Sequence, residues 1–208
     1  MRGFGGRRLR PALAVVAGFA LTGWAAGSCP GRTPAPAAAS ASCAPVEGPL
    51  AAGARADSLA GEFRLTLVAG RGARSGQSTS GRLTLRRYGS RPAPVAAAAG
   101  VRYPLFGGAE VDLAAIGALA LGDVRRADAA RPGVLGMEWA RAGASAETRD
   151  ITLRLGADAN QGGAQRFDGT YMALAVTSVS PGGFYGTWES GAGQPQAGGY
   201  FCAERARG

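Results

Sequence analysis

Apolar and polar residues alternate with period two in segment after segment of this chain, the mark of strands with one buried face. Residues 62–69 set Phe63, Leu65 and Leu67 against Glu62, Arg64 and Thr66. Residues 81–87 repeat the scheme, with Leu83 and Leu85 opposing Arg82, Thr84 and Arg86, and the Gly/Ser-rich stretch between the two segments reads as a hairpin connection. In residues 148–155, Ile151, Leu153 and Leu155 oppose Thr152 and Arg154, and in residues 134–139 Leu135, Met137 and Trp139 fall in phase. Further on, residues 170–179 carry Met172, Leu174 and Val176 on one face. A Ser180-Pro181-Gly182-Gly183 turn follows, then residues 184–189 with Phe184, Gly186 and Trp188 in alternation. A Gly/Pro/Gln loop leads to the last strand, residues 199–203. Residues 101–106 form a strand interrupted by Pro104, which cannot donate to a ladder and so belongs at an edge or a bulge.

One region breaks the pattern. In residues 112–121, Leu113, Ile116 and Ala120 recur at helical spacing, with Asp112 as cap and Gly122 as stop, so a short helix is favoured over a strand. The charged, Ala-rich residues 122–132 then read as an exposed loop. Roughly eight short strands joined mostly by hairpin-length connections predict an all-β domain, either an antiparallel small β-barrel or a β-sandwich. Both the early and the late strands look buried, which favours the barrel. Phe184, Tyr185, Trp188, Tyr200 and Phe201 would then fill the core or line a cavity for one small ligand.

The N-terminus has a different composition. Arg2, Arg7, Arg8 and Arg10 precede an apolar run from Ala12 to Ala26 that ends in small residues, the layout of an export signal. Ala26-Gly27-Ser28-Cys29 resembles the lipobox of bacterial lipoprotein precursors, with Ala26 where that family usually has Leu. The resemblance implies that residues 1–28 are a signal peptide cut before Cys29, that the Cys29 thiol receives a diacylglyceryl group, and that the new amine is acylated. It also implies that the membrane is a partner through that lipid, in a bacterial cell envelope, with Pro30 in place of Asp favouring the outer membrane. A plain secretory signal and an uncleaved anchor helix are the alternatives. Residues 29–42, Pro/Ala/Ser-rich after the cysteine, form a spacer unable to bury a core. Residues 43–205 are the domain and 206–208 a tail. The Gly61-Glu62-Phe63 opening and the strand number resemble a lipocalin-type barrel, without the Trp that family carries after the first Gly. The Gly186-Thr187-Trp188 and Gly199-Tyr200-Phe201-Cys202 motifs resemble a bacterial lipoprotein domain with no activity attached to it.

With Cys29 acylated, Cys43 and Cys202 are left at the two ends of the domain. In an oxidising compartment they form one disulfide, the alternative being two free thiols. The composition narrows the chemistry further. The chain has no His, and its 23 basic residues are all Arg. Nucleophile–His pairs, Schiff-base lysines and the P-loop lysine are therefore excluded. The net charge of +9 includes the four signal arginines and shows no clustered patch with stacking groups, so no nucleic-acid partner is expected. Asp158-Ala159-Asn160-Gln161 starts like a calcium loop but lacks the later ligands, and residues 143–147 lack the second Gly of a nucleophile elbow. No metal, cofactor or catalytic residue is assigned. Arg64, Arg82, Arg86 and Arg154 lie on polar strand faces and would suit phosphate or carboxylate groups if their strands are neighbours; Trp188 is added as an apolar ligand contact. The reading is a non-catalytic, lipid-anchored module binding a small apolar or anionic ligand. The alternative is a structural lipoprotein that docks another envelope protein.

Overall fold

The computed structural model describes residues 43–90, 100–141, 148–156 and 170–206; the lipobox cysteine, residues 143–147 and the calcium-like residues 158–163 lie outside these. Eight strands run antiparallel to their chain neighbours: β1 (Gly61–Arg71), β2 (Ser78–Arg87), β3 (Val101–Glu110), β4 (Val134–Ala140), β5 (Arg149–Leu155), β6 (Thr170–Ser180), β7 (Gly183–Ala192) and β8 (Gln194–Arg205). The last strand returns to the first, with Leu65 facing Ala203 on β8 and Gly81 on β2. The sheet is thus a closed barrel without edges, which decides between the two predicted architectures.

The predicted alternation orients most strands. Leu65, Leu83, Leu153, Leu174 and Phe184 all point inward and are fully buried. The Phe184 ring meets Phe63 and Phe201 edge-on at centroid distances of 5.0 and 5.9 Å, the geometry that aromatic quadrupoles favour. Gly186 makes room for this packing, since a Cβ there would collide with the Ala175 carbonyl and come within 2.9 Å of the Phe201 ring.

β4 turns the other way. Its inward residues are Val134, Gly136 and Glu138, whereas Leu135 packs outside the barrel with Tyr88, Tyr103, Phe106 and Ala129. Of the in-phase Leu135, Met137 and Trp139, Leu135 belongs to this second, outer cluster, and none of the three is in the barrel core. Pro104 sits in a bulge, where the β3–β4 register slips between Arg102 and Leu105. The expected helix over residues 112–121 is only a 3-10 turn, Ala114–Ile116: Asp112 accepts the Ala114 N–H at 3.1 Å, and left-handed Gly117 (φ 69°) stops the turn at once. Residues 122–132 are not a free loop, because Val124 is buried and its carbonyl accepts the Ala109 N–H at 2.8 Å. The expected Gly/Pro/Gln loop is mostly ladder: β7 and β8 are joined by Gly193 (φ 74°), and Pro195 pairs with Gly191 beside a bulge.

Both mouths of the barrel are covered. At one, Ile116 and Ala118 are buried, and buried Ser190 fixes Leu119 by accepting its N–H at 2.6 Å and donating to its carbonyl at 2.9 Å. At the other, the chain before β1 acts as a strap. It starts at Cys43, which is bonded to Cys202 on β8, continues past Val46, whose carbonyl takes the Thr177 hydroxyl at 2.7 Å, and buries Leu50, Ala56 and Leu59. The disulfide closes a loop across 159 positions, worth about 5 kcal/mol on chain-entropy grounds. The Cys43→Ser/Cys202→Ser variant should lose stability of that order in denaturant titrations, and adding reductant should change its unfolding midpoint far less than that of the native chain.

Candidate functional site

The arginines singled out in the sequence are only partly brought together. Arg64 and Arg82 are cross-strand partners on the outer face of β1 and β2. Arg64 is also opposite Glu204 on β8, and Arg82 is opposite Glu110 on β3, with which it makes an ion pair at 3.8 Å. Two like charges side by side are thus flanked by two carboxylates, a self-neutralising row across four strands. Arg86 pairs with Phe106, four residues along β2. Arg154 lies between Leu135 and Ala173, with β3 and β4 separating its strand from β2. Trp188 is 2% exposed and donates its indole N–H to the Val68 carbonyl at 3.0 Å, so it belongs to the core. Of the five aromatics, Phe184, Trp188 and Phe201 fill the barrel, while Tyr185 and Tyr200 stay half-exposed outside. The interior is occupied by its own side chains: Phe63, Leu67, Leu105, Phe184 and Phe201 are at most 1% exposed.

The most concentrated polar chemistry was not visible in the sequence. Glu138 points into the strapped mouth and is completely buried. Its Oε2 accepts the Ala56 N–H of the strap at 2.9 Å. Its Oε1 faces three guanidiniums, those of Arg149 at 3.2 Å and of Arg55 and Arg102 at 3.4 Å each. Arg102 is the direct cross-strand partner of Glu138 on β3 and also reaches Asp57 at 3.7 Å. Arg87 joins from the end of β2, donating through Nε to the Asp57 carbonyl at 3.0 Å. A carboxylate out of water is tolerated only when paired and hydrogen-bonded, and here the partners come from the strap, β3 and β5. Beside this centre, Arg141 and Asp150 form an ion pair, and the hydrogen bonds that Arg141 donates to the Asp150 carboxylate hold its guanidinium above its ordinary range. On the outer cluster, burial first and the Asp128 charge second push the Tyr88 phenol up to about 12.

Two recesses open on the outside. A groove of about 780 Å3 is lined by small residues such as Ala173 and Gly198, by Trp188 and Tyr200, and by the strap residues Pro45 and Glu47. A second, of about 720 Å3, lies between residues 110–113 and 120–125 at the mouth opposite the strap. No protein-family model, curated protein or solved structure matches this chain. The residues therefore have to carry the functional argument themselves.

Removing one partner of a buried ion group strands the others. Glu138→Ala should cost about 3 kcal/mol in denaturant titrations, while Glu189→Ala, at an exposed pair with Arg71, should cost under about 1 kcal/mol. The Tyr88 shift gives a pH prediction. Its folded pKa lies above the unfolded value near 10, so the fold favours the neutral phenol and loses that contribution as pH rises from about 10 through about 12. In an alkaline titration followed by phenolate absorbance, Tyr88→Phe should remove the latest step.

Proposed function

We propose that the chain is an exported, lipid-anchored and non-catalytic envelope domain that works through its outer surface by docking another envelope component. The observation that carries this reading is the filled barrel. Small barrels hold a ligand only when their interior side chains leave room, and here the three rings of Phe63, Phe184 and Phe201 occupy that space under two covered mouths. This packing favours the surface reading over an internal apolar ligand.

Three further points support the proposal. The Cys43–Cys202 bond suits an oxidising compartment and agrees with the export signal before it. The lipobox-like Cys29 provides an attachment point, and two or more acyl chains hold a protein at a membrane where one does not. The one fully buried acid, among the described residues, is Glu138, whose two oxygens are taken by three guanidiniums and a backbone N–H. That leaves it poorly placed for general acid–base work, and no His or Lys exists to replace it.

Intact-mass analysis of protein extracted from its own membranes should find a chain beginning at Cys29 and carrying acyl groups, and Cys29→Ala should retain Met1. A wild-type mass that includes Met1 would remove the lipid anchor and leave the uncleaved helix as the means of attachment. Native mass spectrometry of the same material should show no apolar molecule of fixed mass held inside the barrel; a co-purifying one would restore the ligand-carrier reading.

A further inference from the structure

Among the described residues, the strapped mouth contains more positive charge than its acids neutralise. The guanidiniums of Arg55, Arg102 and Arg149 gather around two carboxylates, Glu138 and Asp57, and Arg87 adds a fourth cation by donating to the Asp57 backbone carbonyl. The distribution is lopsided as well. Three guanidiniums crowd a single oxygen, Glu138 Oε1, which has two lone pairs to offer. The consequence is visible at Arg149, whose buried Nε lies 3.2 Å from that oxygen yet has no aligned hydrogen-bond acceptor among the described residues. Arg55 and Arg102 are 45% and 48% exposed, so the edges they do not turn to Glu138 face the solvent at the mouth.

We propose that this mouth is a binding site for a phosphate-bearing anion, held by Arg55, Arg102 and Arg149. Each guanidinium has five N–H donors in a planar fork that matches the oxygens of a phosphate, and few of those donors are used among the described residues. Glu138 serves as the organiser. From a buried position it holds together two cations on barrel strands, Arg102 and Arg149, and one on the strap, Arg55, so an incoming anion finds its donors already gathered. Asp57, on the strap, restrains Arg102 from the solvent side. The row of Arg64 and Arg82 has no such excess, because Glu204 and Glu110 flank it. The site is independent of the lipid-anchor reading. Its phosphate could come from a free phosphate ester or from a lipid headgroup, and the two sources are separable.

The test uses the full chain in micelles of a neutral detergent at low salt. Inorganic phosphate is titrated in one arm, and phosphatidylglycerol is doped into the micelles in the other. Saturable binding of at least one probe is expected. It should weaken at least about tenfold in Arg55→Gln/Arg102→Gln and by less than about twofold in Arg64→Gln/Arg82→Gln, since losing hydrogen bonds to a charged partner costs at least that much. Binding of phosphate alone marks a soluble ester, and binding of the lipid alone marks a headgroup. On the native chain, the Arg149 Nε–H resonance should shift along the same isotherm, a readout that does not depend on any variant folding. Absence of saturable binding, equal losses in the two double variants, or an Arg149 signal that stays still at saturation would each overturn the proposal.

Discussion

Closure of the sheet is the constraint from which the rest of this structure follows. Pairing of β1 with β8 removes both edges, but it also encloses a volume that must be filled and leaves two ends that must be covered. The filling is done by interior Leu and Phe at alternate positions, with Gly136 and Gly186 where a neighbouring Leu105 or Phe201 needs the space. The covering is done by segments outside the ladder. One end takes the segment between β3 and β4, and the other takes the strap. The disulfide then joins the strap to β8, one of the two strands at which the barrel closes.

The two covers are built differently. The segment between β3 and β4 is held by apolar contacts and by Ser190, which satisfies both backbone groups of Leu119. The strap is held partly by Leu50, Ala56 and Leu59 and partly by a charge centre, since the Ala56 N–H meets a carboxylate that also collects arginines from β3 and β5. An apolar plug of the same size would match or exceed it in stability. What the ionic arrangement adds is directional contact: the Ala56 N–H, Arg55 and Asp57 of the strap each meet a partner on the barrel, Glu138 or Arg102.

The class of fold was legible because β1, β2, β5, β6 and β7 each bury one clean face, and period-two alternation reports that directly. Where the sequence misled, the cause was a second covered surface or a long-range contact. On β4 the outward Leu135 is buried because Tyr88, Phe106 and Ala129 shield it, while the inward Val134, Gly136 and Glu138 do not read as an apolar face. Gln194, Pro195 and Gln196 have the composition of a turn, and only pairing with β7 makes part of that stretch a ladder. The charge centre left no local trace. Its members stand at positions 55, 57, 87, 102, 138 and 149, and only the barrel brings them to one mouth. The arginines that were legible occupy an outer face, where alternation shows exposure but says nothing of the carboxylates on adjacent strands.

The position of the disulfide also has a mechanical meaning. A pull arriving along the polypeptide from upstream of Cys43 passes through the sulfur bridge into β8, a strand laced to β1 on one side and β7 on the other. The stretch from residue 44 to the start of β1 is a slack side-branch of that route. If the chain is held through Cys29 as proposed, tension enters β8 and its two ladders directly, and the strap with its arginines lies off the loaded path.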